Sequence, residues 1–152
     1  MYIGKMKKPN DLTVDVWARL LRLNKIALKR MEGKLKTEGL PALAWYDILL
    51  ELERAGVAGL RPFELEDVTL LPQYGVSRII ERIEKAGFLQ RLACDDDARG
   101  QSVFITDAGK ILRQKMWIVY GAAIEEVIGE NIGGADAANL SRVLKQLIEK
   151  QA

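Results

Sequence analysis

Tyr74, Ser77, Arg78, Glu81, Arg82 and Lys85 recur at the three- and four-residue spacing of a helix within PQYGVSRIIERIEKAGF, the stretch from Pro72 to Phe88. That spacing stacks them on one face. Hydroxyl and guanidinium groups shown together on a helix can hydrogen-bond to phosphate oxygens and to the edges of bases, and a DNA major groove is wide enough to admit one helix. On the opposite face Val76, Ile79, Ile80 and Ile83 recur at i, i+3, i+4 and i+7, a stripe that the helix would bury, and Gly87 is placed to end it. The spacing predicts a helix from about Gln73 to Ala86, so Gln73 joins Tyr74, Ser77, Arg78 and Arg82 as candidate DNA contacts.

Two runs rich in β-branched and aromatic residues follow, about Phe88 to Ala93 and Gln101 to Ile105, and read as a hairpin. The connection Cys94 to Gly100 would put Arg99 at the tip, with Gly100 free to take φ > 0. Asp97 is close enough to tether the Arg99 guanidinium by a charge-assisted hydrogen bond. An arginine held on a loop suits the negative potential of a narrow minor groove. Arg91, on the first strand, completes the candidate set.

Other chemistries lack their residues. The chain has no histidine and a single cysteine, which excludes Ser-His-Asp and Cys-His catalysis, the usual zinc sites and an internal disulfide. No cofactor is expected. The net charge of +2 is a weak argument for nucleic acid, and its distribution is uneven. Residues 1–40 hold ten Lys and Arg against four acids, whereas residues 61–101 hold six against eight. DNA contact would therefore rest on where Arg78, Arg82, Arg91 and Arg99 point, aided by the basic N-terminal segment. No apolar run is long enough to span a membrane, and the basic N-terminus lacks the apolar core of a secretory signal, so a cytoplasmic location is expected.

The elements that must position these residues can be read in order. Asn10 or Thr13 is placed to cap a long helix to about Thr37, with Val16, Leu20, Leu23, Ala27 and Met31 as its stripe and Leu12, Leu21 and Leu28 widening it. So broad an apolar surface is hard to cover within 152 residues, and marks a dimer element. Pro41 opens a second helix to about Ala55, with Trp45, Ile48, Leu49 and Leu52 inward. Pro62 opens a short third helix to about Thr69, and Leu70 to Pro72 form the turn into the polar-faced helix. After the hairpin, Thr106 caps a long helix to about Asn131. Beyond Gly133-Gly134, Asp136 to Lys150 reads as a last helix with Leu140, Val143, Leu144, Leu147 and Ile148 inward.

The order GLRPFELEDVTLLPQYGVSRIIERIEKAGFLQR followed by DDDARGQSVFITDAG resembles the MarR family of winged helix-turn-helix transcription regulators. The most specific matches are Asp97-x-Arg99-Gly100 in the wing, Phe104-Ile105-Thr106-Asp107-x-Gly109 leaving it, and Ser77-Arg78 with Glu81-Arg82 in the recognition helix. The resemblance implies a mainly α chain with a small β-hairpin wing (α+β). It further implies one domain over 1–152, with a winged helix-turn-helix at about 41–106 flanked by dimerisation helices at about 12–37 and 107–151. By the same resemblance the protein is a homodimeric regulator, more often a repressor, that binds a near-palindromic operator in double-stranded DNA. The junction between its two parts would bind a small aromatic or anionic effector, with Trp17, Trp45 and Tyr46 as lining and Arg22 as charge partner. Two positions depart from the family: Ala98 stands where a second basic wing residue is usual, and Pro72 where a serine commonly starts the recognition helix.

Blander readings sit beside these. The polar row is also what a solvated helix face looks like, and the departures with the acidic local balance fit a winged-helix protein–protein module without DNA binding. Asp95-x-Asp97-x-Arg99-Gly100 starts like a calcium loop, but Arg99 stands at its fifth position and Thr106 where the bidentate Glu belongs. Cys94 could sense oxidants, though three neighbouring aspartates would raise its pKa and slow thiolate chemistry.

Overall fold

The computed structural model describes residues 4–70, 75–94 and 97–152, the side chains at 94 and 97–99 excepted. Helix α1 spans Asp11–Thr37, and the Asn10 side chain accepts the Thr13 N–H at 2.7 Å at its start. At its end Gly39, with φ 69°, lets the Gly39 and Leu40 N–H groups return to the carbonyls of Lys36 and Leu35. Only the second half of α1 is covered, through Ala27, Met31 and Leu35; Leu12, Val16, Trp17, Leu21 and Leu23 are exposed.

Helix α2, Leu43–Ala55, buries Leu43, Ile48, Leu49 and Leu52. Trp45 was expected inward but is half-buried, edge-on to Phe88 at 6.2 Å, and Tyr46 takes the buried position beside it. The orphan N–H of Leu43 is satisfied by the Glu32 carboxylate of α1 at 2.8 Å, a cap supplied from another element. Helix α3, Pro62–Val68, starts with proline in its first turn and Glu64 accepting the Arg61 N–H at 3.0 Å.

The polar-faced helix, α4, covers Val76–Lys85 and starts later than the expected Gln73. Gly75 immediately before it is left-handed, φ 73°, a conformation that cannot continue a right-handed helix. Val76, Ile80 and Ile83 are buried as the stripe requires, with Ile79 partly so. Gly87, φ 86°, ends it: the Gly87 and Phe88 N–H groups bond to Glu84 and Ile83 carbonyls at 2.9 and 3.1 Å.

Strands β1, Leu89–Cys94, and β2, Asp97–Ile105, pair antiparallel from Leu89↔Ile105 to Ala93↔Gln101, then shift to Cys94↔Asp97. This corrects the expected seven-residue connection. Residues 98–100 are taken up as a bulge in β2, so pairing resumes beyond it and Arg99 belongs to the strand, not to the tip. Gly100 is not among the glycines with positive φ. A further bridge joins Leu60 to Val103, with N–H···O distances of 3.0 and 2.7 Å, and lays the connector before α3 along the wing.

Helix α5 covers Asp107–Val127, capped by Thr106, whose hydroxyl accepts the Gly109 N–H at 3.1 Å and donates to the Gly87 carbonyl at 2.8 Å. It ends short of Asn131, which lies in a separate 3-10 turn. Helix α6, Gly134–Glu149, has no buried residue, against the inward face expected of it: Leu140, Val143, Leu147 and Ile148 are exposed, Ile148 by 71%. No helix among the described residues is long and apolar enough to cross a membrane.

α5 is held against both α1 and α2. Ala27 and Met31 pack on Ala123, and Lys34 bonds Glu126 at 2.8 Å, which holds that carboxyl below its ordinary pKa. Tyr46 stacks on Trp117 at 6.1 Å and meets Tyr120 edge-on at 5.1 Å. Arg113 is bonded to Glu53; burial works against its charge, but Glu53 and the Tyr46 hydroxyl outweigh it and leave its pKa raised. Burial, then Tyr46 and Asp47, push the Tyr120 pKa up. Because that folded-state value is raised, the stability linked to a neutral Tyr120 is whole below the ordinary tyrosine pKa and is lost as pH climbs through the higher one. Phenolate absorbance of the native protein should show one late-titrating tyrosine that Tyr120→Phe lacks. Denaturant unfolding across the same alkaline range should show a smaller loss of stability in the variant.

Candidate nucleic-acid interface

Burying Val76, Ile80 and Ile83 turns the other side of α4 outward, and Ser77, Arg78, Glu81, Arg82 and Lys85 are all exposed on it. The face therefore carries three cations, two carboxylate-free hydrogen-bonding positions at Ser77 and Arg78 near the N-terminal turn, and one acid at Glu81. Gly75 has no side chain to cap the helix, and no side-chain hydrogen bond is made at that cap. Gln73 and Tyr74 lie outside the described residues.

Arg91 is placed differently from the row on α4. It shares the sheet face of buried Leu89 and Val103, is 28% exposed in its side chain, and lies with Nε 3.5 Å from the Glu84 carboxylate. That ion pair ties β1 to the outer part of the recognition helix. On β2, Asp97 pairs beyond the bulge and Arg99 lies within it; their side chains, and with them the expected tether, are outside the described residues.

Reading the residues alone missed Arg61. Its guanidinium lies against Gly100, where a Cβ would overlap Nη1. The need for glycine in the wing is thus room for another residue's side chain, not a left-handed backbone. Nothing local to Arg61-Pro62 announces this, because the approach depends on the Leu60↔Val103 bridge between segments far apart in the chain.

The four residues named for an effector pocket divide into two pairs. Trp17, 63% exposed, and Arg22 stand on the uncovered half of α1. Trp45 and Tyr46 are held in the α2 core by Phe88 and by Trp117 with Tyr120. A groove of about 920 Å³ does open between the second half of α1 and α5, lined by Arg30, Lys34, Val119, Ala122 and Val127 among others, and none of the four borders it.

A sequence model of the MarR family matches residues 38–100, which span the helix-turn-helix and most of the wing. The multiple antibiotic resistance protein MarR of Escherichia coli K12 is 24% identical over 149 residues, covering 94% of this chain and 99% of that one. The helix-turn-helix and most of the wing are thus similar to the MarR family in sequence. Among solved structures it is similar to a MarR family transcriptional regulator from Streptomyces coelicolor in complex with DNA, with TM-score 0.82 at 18% identity, covering 97% of this chain and 92% of that one. It is also similar to an organohalide-sensing transcriptional regulator in its 2,4-dichlorophenol-bound form, with TM-score 0.76 at 17% identity and coverages of 98% and 89%. These likenesses extend the shared fold beyond the matched segment, to the long helices at both ends.

The contact between Arg61 and Gly100 can be measured as a coupling. Gly100→Ala must displace the Arg61 guanidinium and should cost about 1 kcal/mol, the scale of one lost hydrogen-bonding interaction. In an Arg61→Ala background the same substitution should be nearly neutral. A double-mutant cycle from denaturant unfolding gives the difference directly, and additive costs would contradict the contact.

Proposed function

We propose that the chain is a homodimeric MarR-family transcription regulator that binds double-stranded DNA sequence-specifically, with α4 in the major groove and the β1–β2 wing along the minor groove. The observation that carries the reading is the outward row Ser77, Arg78, Arg82 and Lys85 on a helix whose other face buries Val76, Ile80 and Ile83 beside a hairpin. The Streptomyces relative of the same fold solved with DNA supports it. On this reading the whole chain is one functional unit, working in the cytoplasm as a repressor. A small aromatic or anionic effector would alter its affinity, in keeping with the dichlorophenol form of the other relative. Trp17 and Arg22, exposed on one chain, would come to such a ligand from the dimer part.

The dimer is supported by apolar surface that one chain leaves in water: Val16, Leu21 and Leu23 on α1, Ile118 on α5, and Leu147 and Ile148 on α6. Sedimentation equilibrium at micromolar concentration should find a dimer, and Ile148→Asp with Leu147→Asp should shift it toward monomer. Two recognition helices related by a two-fold axis would read half-sites about one helical turn apart.

Arg78→Ala removes a side chain placed for base edges and should cost about 1–3 kcal/mol per subunit, relaxing preference at one symmetric pair of positions. Arg99→Ala removes a wing cation and should weaken binding to all sequences and flatten the salt dependence, with the preferred sequence nearly unchanged. Selecting sites from a random DNA pool with each variant, at two salt concentrations, checks both. A folded dimer that selects no sequence at low salt would instead support a protein–protein module, which the acidic balance of residues 61–101 favours.

A further inference from the structure

Tyr46 and Asp47 are neighbours on α2 that tie it to two different elements. Tyr46 is locked among Trp117 and Tyr120 of α5. Asp47, 7% exposed, sends its carboxylate to the far end of α3, where Oδ2 accepts the backbone N–H of Leu70 at 2.9 Å. Leu70 is the first residue past the C-cap of α3, and its own side chain is 88% exposed, so packing of that side chain does not hold Leu70 in place. The Asp47 carboxylate bonds its N–H instead, in a charge-assisted hydrogen bond that is partly buried.

We propose that Asp47 is the positioning residue of the recognition helix: by holding Leu70 it fixes how the chain leaves α3 on its way to Gly75, and so where α4 presents Ser77, Arg78 and Arg82. Burial of Val76, Ile80 and Ile83 keeps α4 on the core, but apolar contact is non-directional and leaves small shifts of the helix cheap. A hydrogen bond from a buried side chain has a preferred distance and angle, and adds direction on the α3 side of the helix, as Thr106 at Gly87 and Arg91 at Glu84 do on the wing side. Since α2 is itself clamped to α5 by Tyr46 and by Glu53 with Arg113, the Asp47 bond references the reading helix to the helix that would carry the dimer. This rests on the DNA-reading function proposed above.

The test uses the full-length protein, a duplex selected by the wild type from a random pool, and a scrambled duplex of the same length. Asp47→Ala should lower affinity for the selected duplex roughly tenfold to a hundredfold, because the competent placement of α4 becomes a minor state. Affinity for the scrambled duplex, set by charge, should stay within about twofold. Asp47→Asn should recover most of the selectivity, since its amide oxygen accepts the same N–H, a rescue that a general loss of charge would not give. Leu70→Pro removes the donor from the other side, at a position where Thr69 is already extended with ψ 144° as a residue before proline prefers. Leu70→Ala keeps the N–H and is its control.

The proposal predicts that Asp47→Ala and Leu70→Pro both lose selectivity while Asp47→Asn and Leu70→Ala keep it. Wild-type selectivity in Asp47→Ala and Leu70→Pro overturns it. Should Asp47→Ala not fold, the Leu70 pair decides alone. Amide exchange at Leu70, measured without DNA, separates the two levels: slow exchange in the wild type that becomes fast in Asp47→Ala supports the tether even if no duplex is selected. Fast exchange in the wild type removes the tether whatever the DNA result.

Discussion

A helix of ten residues is too short to hold its shape in water, so α4 exists only because its apolar stripe is buried. That single requirement organises the winged region. Val76, Ile80 and Ile83 need a floor, which α2 provides with Ile48, Leu49 and Leu52, and α3 with Leu65. The floor needs its own support, and α5 supplies it through Met116 and Leu112 from one side while the wing closes the other with Leu89 and Val103. Once the stripe is committed to that floor, helix geometry leaves Ser77, Arg78, Glu81, Arg82 and Lys85 no place except outside. Exposure of the reading face is thus a consequence of packing on the opposite face.

The wing obeys a second constraint. A two-stranded hairpin is marginal by itself, and here it is anchored at its base three times: by the Leu60↔Val103 bridge, by the Thr106 hydroxyl on the Gly87 carbonyl, and by Arg91 against Glu84. These contacts join the wing to the connector before α3, to the end of α4 and to the side of α4 respectively. The hairpin and α4 therefore form one body, as the proposed reading of adjacent grooves would require. The bulge at residues 98–100 and the room kept by Gly100 for Arg61 belong to the same body.

Legibility in the sequence follows the range of each interaction. Local periodicity and punctuation were readable: the α1 cap at Asn10, the stripe Val76, Ile80 and Ile83, the stop at Gly87 and the Thr106 cap all lie where residue spacing puts them. What failed was non-local. Gly75 looked like an interior helix residue because nothing in the sequence shows its backbone hand. The hairpin connection looked seven residues long because a bulge in β2 has no composition of its own. The face of α6 looked buried because amphipathicity tells which side is apolar and is silent about whose core it joins. Of the site, the row on α4 was legible, whereas Arg61 at the wing and Asp47 at Leu70 were not, since each acts across a long sequence separation.

The balance of charge bears on what kind of binding such a surface can give. α4 carries Arg78, Arg82 and Lys85 against Glu81 and Glu84, and Glu84 is already engaged with Arg91. A strongly basic field would attract any DNA and make placement unimportant. Here the excess of cations on the helix is small and residues 61–101 are acidic in total, so on the proposed function non-specific attraction would be weak and little affinity would survive if the guanidiniums missed their partners. Binding would then depend on geometry more than on charge. Such a dependence would give a use to the part-buried polar bonds at the junctions around α4. Asp47 at Leu70, Glu32 at Leu43 and Glu53 with Arg113 each give direction to a junction that apolar packing alone would leave free to slide.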